Sequence, residues 1–123
     1  MSKTYDLRVI IKGLLEQSTG KAYYEEAPTD AVYPYKIFEF ESIDLQDLSR
    51  DNLILTVHVW GRDVKQVELI CDTIENLFRI CNNPTNTSLP TFYAYDRRTI
   101  ADEDKSLKHR QIKIQVQNYY IGE

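Results

Sequence analysis

The sequence predicts an α+β domain in which one antiparallel or mixed β-sheet of four to five strands carries two α-helices on one face. Two segments repeat apolar residues at helical spacing, and several others have the composition or the alternation of β-strands. Their order along the chain is helix, strands, helix, two strands. The 123 residues suffice for a single domain, 1–123, with one hydrophobic core that needs no disulfide or metal.

The first predicted helix covers residues 5–17 and has one apolar stripe. The stripe follows the i, i+3, i+4, i+7, i+8 spacing of a surface helix and consists of Leu7, Ile10, Ile11, Leu14 and Leu15. A short strand at 22–25 and a turn-rich loop containing Pro28 and Pro34 are predicted to follow.

Two strands are predicted next along the chain. The segment "YKIFEFES", which begins at Tyr35, is rich in aromatic and β-branched residues. In "LILTVHVW", residues 53–60, leucine and valine alternate with other residues, which predicts a central strand ended by Gly61. Residues 42–51, "SIDLQDLSRD", predict a loop or a single helical turn between the two strands.

Asp63 is the predicted N-cap of a second, longer helix. Its stripe consists of Val64, Val67, Ile70, Cys71, Ile74, Leu77, Phe78 and Cys81. The C-terminal third then predicts two strands, "LPTFYAYDRR" and "RQIKIQVQNYY", joined by a charged loop over 99–108.

Charge is distributed unevenly along the chain. Residues 25–51 contain eight acidic and two basic residues, whereas residues 96–113 contain six basic and four acidic residues. Because affinity for duplex DNA comes from lysine and arginine at the phosphates, the acidic segment argues against sequence-specific DNA binding. It suits a surface past which DNA slides without sticking.

Residues that would support catalysis or cofactor binding do not form a motif. His58 and His109 lack the spacing of a zinc site, and the four glycines are dispersed where no phosphate loop forms. We therefore expect no enzyme activity, no cofactor and no metal. Since no apolar run approaches the roughly 20 residues of a membrane span, we expect no membrane partner and a cytoplasmic location in the host.

Three features, which together cover nearly the whole chain, resemble one family. They are "YPY" at the start of a strand, the strand and helix in "LTVHVWGRDVKQVELICDTIENLF", and the terminal "FYAYDRRTIADEDKSLKHRQIKIQVQNYY". In this pattern and order the sequence resembles the tail completion proteins, also called tail terminator or head-to-tail joining proteins, of long-tailed bacteriophages and prophages.

The resemblance implies a structural virion protein that caps the last ring of the tail tube and joins it to the DNA-filled head. It implies a ring, commonly of six subunits, with the tail tube protein and head-tail connector proteins as partners. The implied location is the head-tail junction of the virion, after assembly in the cytoplasm of the bacterial host.

Two sets of residues are candidates for the contacts of such a ring, whose closure requires two different patches of the same protein. The candidate interface with other subunits or partners consists of Tyr93, Tyr95, Arg97, Arg98, Asp102, Glu103, Asp104, Lys105, Lys108 and Arg110. The candidate acidic lumen or interface consists of Glu39, Glu41, Asp44 and Asp47, which would repel the DNA backbone. Solvated loops are the alternative interpretation of both sets.

Two other functions remain open from the sequence. One is a small single-stranded nucleic-acid-binding module, in which Trp60, Tyr93 and Tyr95 form a stacking platform beside Arg97 and Arg98. The other is a hydrolase that uses His58.

Overall fold

The predicted fold class is confirmed by the computed structural model, which describes residues 3–45, 50–78, 81–82 and 88–120. It describes side chains for residues 5–41, 52–78 and 91–117. The elements in chain order are α1 (Lys3–Leu15), β1 (Lys21–Tyr24), β2 (Tyr35–Leu45), β3 (Arg50–Gly61), α2 (Val64–Leu77), β4 (Cys81–Asn82), β5 (Ser88–Ile100) and β6 (Lys108–Tyr120).

The strands form one mixed sheet in the order β1-β2-β3-β6-β5-β4. β1 is parallel to β2, and every other neighbouring pair is antiparallel. The strand 53–60 is central, as its two-sided apolar composition predicts, with β2 on one side and β6 on the other. β4 has only two residues and pairs with Thr91 and Phe92 of β5.

Both helices pack on one side of the sheet, which we call the helix face. Inward-facing residues of the strands alternate with outward-facing ones and include Phe38, Leu55, Val57, Phe92, Ile112 and Ile114. They form one hydrophobic cluster with the predicted stripes of α1 and α2. Burial of each large apolar side chain contributes about 1.5–3 kcal/mol, so this cluster holds the helices to the sheet.

The predicted loop or helical turn over 42–51 is wrong where the structure describes it. Residues 42–45 extend β2, residues 50–51 begin β3, and residues 46–49 lie outside the described part. A β-bulge between Phe40 and Ser42 shifts the register, which interrupts the two-residue period by which a strand is recognised. The hairpin continues past the bulge because its backbone hydrogen bonds do not depend on apolar side chains.

α2 ends four residues earlier than predicted. Asp63 is its N-cap, as expected, and the Asp63 carboxylate accepts a hydrogen bond from the Lys65 N–H at 3.1 Å. Phe78 caps the C-terminal end, and its ring packs edge-to-face on Phe92 with 5.1 Å between centroids. Cys81 therefore belongs to β4, although its spacing continues the helical stripe.

Lys36 is a fully buried lysine that joins β2 to the C-terminal end of α1. Its ammonium donates hydrogen bonds to the carbonyl oxygens of Leu15, Thr19 and Gly20 at 2.8, 3.1 and 2.9 Å, and to the Ser18 hydroxyl at 2.7 Å. The carbonyls that end a helix have no partner within it, so a cation here satisfies them and complements the helix dipole. Burial lowers the pKa of Lys36 to about 8.

The turn after α1 requires glycine at position 20. Gly20 has a φ of 96°, and a Cβ atom there would clash with the carbonyl oxygen of Pro34. A larger residue would be strained in its backbone and would displace the start of β2.

Candidate functional site

The side of the sheet opposite the helices, which we call the open face, has an aromatic end. Pairing across β2, β3, β6 and β5 places Tyr35, Trp60, His109 and Ile100 in one row. Tyr33 stacks on Tyr35 with ring centroids 5.2 Å apart. This end of the open face is therefore a continuous, largely apolar band.

Two histidines and a tryptophan form the centre of this band. His58 Nδ1 and His109 Nε2 are 2.8 Å apart, and the Trp60 ring stacks on His109 with centroids separated by 3.7 Å. Burial lowers the pKa of both histidines, and the neighbouring His58 contributes to lowering that of His109 to about 4. Both rings are therefore neutral at pH 7, and one donates a hydrogen bond to the other.

Acid is expected to destabilise the fold through this pair. The folded-state pKa of His109, about 4, lies below the ordinary histidine value of 6.5, so the unfolded chain takes up the proton first as pH falls. The stabilising contribution of neutral His109 is present above pH 6.5 and is lost as pH falls toward about 4. Urea unfolding of His109→Gln should show a smaller loss of stability across this window than the wild type.

The chain has two histidines, so the double variant with His58→Gln removes all histidine titration and serves as the reference. Equal pH slopes for the wild type and this double variant would contradict the assignment.

The other end of the open face is polar. Glu41 accepts a hydrogen bond from the Thr56 hydroxyl at 2.9 Å and forms an ion pair with Lys113 at 3.0 Å. Hydrogen bonds from Lys113 and Thr56 lower the pKa of Glu41. Glu39 lies beside this group, opposite Thr56 on the neighbouring strand. Of the predicted acidic lumen residues, the structure brings these two glutamates together.

The remaining two predicted lumen residues cannot be placed in the same way. Asp44 lies in β2 by its backbone, with its side chain outside the described part. Asp47 lies outside the described residues.

Two arginines of the predicted interface set bind α2. Arg97 contacts the carboxylates of Glu75, Asp72 and Glu68, and Arg110 contacts Glu68. Burial would lower the pKa of Arg97, but its hydrogen bonds to Glu75 and Asp72 outweigh this and raise it. This cluster joins α2 to β5 and β6. Because both arginines are paired with carboxylates, neither contributes a free positive charge to the surface.

Other members of the predicted interface set are exposed on β5. Tyr93 and Tyr95 are 53% and 48% exposed, and the Arg98 side chain is 67% exposed. Arg98 forms an ion pair with Asp96 at 3.0 Å. The rest of the set lies in or beside the loop 101–107 and consists of Asp102, Glu103, Asp104, Lys105 and Lys108.

Arg62 holds this loop near the turn that follows β3. Its guanidinium donates a hydrogen bond to the Ser106 hydroxyl at 2.7 Å and lies 3.8 Å from the Asp104 carboxylate. The same guanidinium lies over the Tyr33 ring at 4.7 Å from its centroid. The loop is thereby connected to the aromatic end of the open face.

The structure does not assemble the predicted nucleic-acid platform. Trp60 is paired with His109, and Tyr93 is paired with Gln115, six residues farther along β6. This separation is about 20 Å at 3.3 Å per residue. Arg97, which would flank the platform, contacts α2 on the opposite side of the sheet.

Sequence reasoning did not identify three groups that the structure reveals: buried Lys36, the histidine pair and the carboxylates that bind Arg97. Only the last has a signal in the sequence. Glu68, Asp72 and Glu75 have the i, i+4, i+7 spacing of one helix side, which indicates an acidic stripe.

In the part of the chain that the structure describes, no group of three or more histidine, cysteine, aspartate or glutamate side chains is placed to hold a metal ion. Within those same residues, neither helix is long and apolar enough to cross a membrane.

Comparison with known proteins shows a likeness of fold. No protein-family profile matches the sequence, and no curated protein sequence matches it. Among solved structures, the chain is similar to a chain described as "Virion of native gene transfer agent (GTA) particle", with a TM-score of 0.55 and 9% sequence identity. The similarity covers 97% of this chain and 91% of the other. The two chains therefore share a fold over nearly their full lengths.

Proposed function

We propose that this protein is a structural virion protein that caps the finished tail tube as a ring and joins it to the DNA-filled head. The observation that carries the proposal is the shared fold, which extends over nearly all of this chain and of a chain from a gene transfer agent virion. In this proposal the function resides in the surfaces that contact other subunits. In this proposal it is not an enzyme and uses no cofactor.

The proposed working form is a ring of six subunits at the head-tail junction. Its partners are other copies of this chain, the tail tube protein and the head-tail connector proteins. These expectations come from the resemblance of the sequence to the tail completion family. The features that support the resemblance are the aromatic-Pro-Tyr start of a strand and the charged last hairpin.

In the proposed ring the acidic residues of β2 face the path of the DNA. Glu41 is already paired with Lys113, so Glu39 is the described carboxylate that contributes repulsion most directly. Repulsion between a carboxylate and the phosphate backbone would keep the DNA from adhering to the channel wall.

The first test is immunogold electron microscopy of particles from an induced lysate, with an antibody against this protein. We expect label at the junction between head and tail. An antibody against the tail tube protein, which labels the length of the tail, is the positive control. Intact virions without label, together with antigen that stays soluble, would contradict the proposal.

Disruption of the coding gene is the complementary test. Filled heads and separate tails of uneven length are expected, because tube growth would not be stopped and the head would have no docking surface. Complete virions of normal tail length in the disrupted strain would contradict the capping role.

A further inference from the structure

The β1 end of the sheet carries a groove between α1 and β1. This groove, which we call the α1–β1 groove, has a volume of about 820 Å³. Tyr5 and Val9 of α1, 53% and 52% exposed, contribute apolar surface to it. Arg8 lies over the ring of Tyr24, with its guanidinium 4.8 Å from the ring centroid. The groove is therefore an open surface of mixed character, with apolar and aromatic residues, the cations Arg8 and Lys12 on its helical wall, and Glu16, Glu25 and Glu26 also in its lining.

The opposite end of the sheet presents a strand edge with exposed tyrosines. β4 pairs with only two residues of β5, and the Ala94 N–H donates to the Phe78 carbonyl. Within the described chain, residues 95–100 have no strand on their outer side, and we call this segment the β5 edge. Tyr95 is the first residue of this edge, and Tyr93 lies just before it. Both tyrosine side chains are exposed.

The helices at the two ends of the sheet differ in charge, since α1 has three basic residues and one acidic residue and α2 has one basic residue and three acidic residues. At the β5 end, α2 presents three carboxylates to two arginines, and the Asp72 side chain is 63% exposed. At the β1 end, Arg8 and Lys12 of α1 line the groove. Two copies placed side by side with their helices in the same layer would bring the acidic side of one α2 toward the basic side of the next α1.

A second pair of charges matches outside the helix layer. Arg98, on the β5 edge, is largely exposed, and Glu25 and Glu26 at the end of β1 line the α1–β1 groove and are exposed. Complementary charges at two positions favour one register of contact over others, which is how electrostatics confers specificity on an interface.

We infer that the β5 edge of one copy of this chain docks in the α1–β1 groove of the next copy, with Tyr95, which lies at the β-bulge of β5, against Tyr5 and Val9. This inference rests on the proposed ring and assigns its interface. The contact joins two different patches of the same protein, which is the type of interface that generates a ring when the rotation between neighbours closes. The outer N–H of Ala22 in β1 already donates to Glu16 at 3.2 Å, so side chains rather than a continuous β-ladder form the contact.

Cysteine cross-linking tests the arrangement. Val9→Cys protein and Tyr95→Cys protein, each in a Cys81→Ser background, are treated with a short bismaleimide alone and as a mixture. Cys71 is buried and burial raises the pKa of its thiol to about 11, so it should react slowly. We expect cross-linked dimers only in the mixture, and a ladder of larger species from a chain that carries both cysteines.

A matched control replaces Val9→Cys with Leu69→Cys, which is 65% exposed on α2 and lies outside the groove. The mixture of Leu69→Cys and Tyr95→Cys should give no more product than the wild type. Cross-links in either protein alone, or none above this background in the Val9–Tyr95 mixture, would overturn the inference.

Charge exchange provides an independent test. Arg98→Glu, and Glu25→Arg combined with Glu26→Arg, should each lower the cross-linking yield by about tenfold or more, and all three changes together should restore it. Circular dichroism confirms that each variant is folded. If the variant with all three changes is folded but does not regain the cross-linking yield, the pairing of Arg98 with Glu25 and Glu26 is overturned.

The outcomes distinguish this inference from the proposed function. Ring-forming cross-links together with virions that carry no label at the junction would support the interface and contradict the capping role. Label at the junction together with charge variants that assemble normally would support the capping role and contradict the interface.

Discussion

Replacement of Lys36 with methionine is expected to lower the free energy of unfolding by about 3 kcal/mol, because it removes the hydrogen bonds by which the buried ammonium joins β2 to the end of α1. Methionine fills most of the space of the lysine stem, so lost hydrogen bonds rather than a cavity dominate the effect. The Lys36 ammonium has four acceptors within 3.1 Å, three of them main-chain carbonyls around the end of α1. Urea unfolding followed by circular dichroism measures the change.

The control for Lys36→Met is Lys65→Met, which makes the same chemical change on the exposed surface of α2. Its effect should stay within about 0.5 kcal/mol, as for most surface substitutions. Equal unfolding midpoints for the two variants would show that the buried ammonium does not hold α1 to β2.

The pH dependence of the Lys36 effect has a definite sign. Burial lowers the folded-state pKa of Lys36 to about 8 from the ordinary lysine value of 10.5, so between these values the unfolded chain binds more protons than the folded one. The contribution of Lys36 to stability therefore increases as pH rises through this window. The gap between wild type and Lys36→Met should widen from pH 8 to pH 10.5. A gap that narrows instead would mean that the acceptors favour the ammonium more than burial opposes it.

Replacement of Arg97 with methionine is expected to destabilise the fold by about 2 kcal/mol, less than for a fully buried ion pair because the carboxylates are partly exposed. Among the described residues, the ion pair that remains for these three α2 carboxylates without Arg97 is that of Glu68 with Arg110. Their mutual repulsion would weaken the attachment of α2 to the sheet. Urea unfolding at low and high salt measures the effect, and salt should reduce it because exposed charges are screened.

Arg98→Met is the matched control, since Arg98 is the next residue and forms one exposed ion pair with Asp96. The loss expected for an exposed pair is within about 1 kcal/mol. If Arg97→Met and Arg98→Met were equally stable, the α2 carboxylates would not depend on Arg97.

Most of the fold could be predicted from periodicity. Apolar stripes identified both helices, and alternation identified β3 and β6, because burial of one side imposes these periods on the sequence. Prediction failed at residues 42–45, where the bulge after Phe40 shifts the register, and at Cys81, where apolar spacing continues past the end of α2. Both failures occur where backbone geometry changes without a change in composition.

The candidate site was less predictable, as Arg97 and Arg98 illustrate. They are identical in type and adjacent in sequence, yet one binds three carboxylates of α2 and the other is exposed. The difference follows from the β-bulge between Ala94 and Asp96, which reverses the alternation so that Arg97 pairs with Ile112 on the helix face. No local feature of the sequence shows on which face of the sheet each arginine lies.

The sequence by itself determined the α+β class, the two amphipathic helices and the separation of acidic and basic segments, because these depend on composition and on short periods. The tertiary structure alone decided which charges remain exposed, where Lys36 finds its acceptors, and that His58 meets His109 across neighbouring strands. Such contacts join residues far apart in the chain. Strand order and register set them, and these depend on the packing of the whole sheet rather than on any one segment.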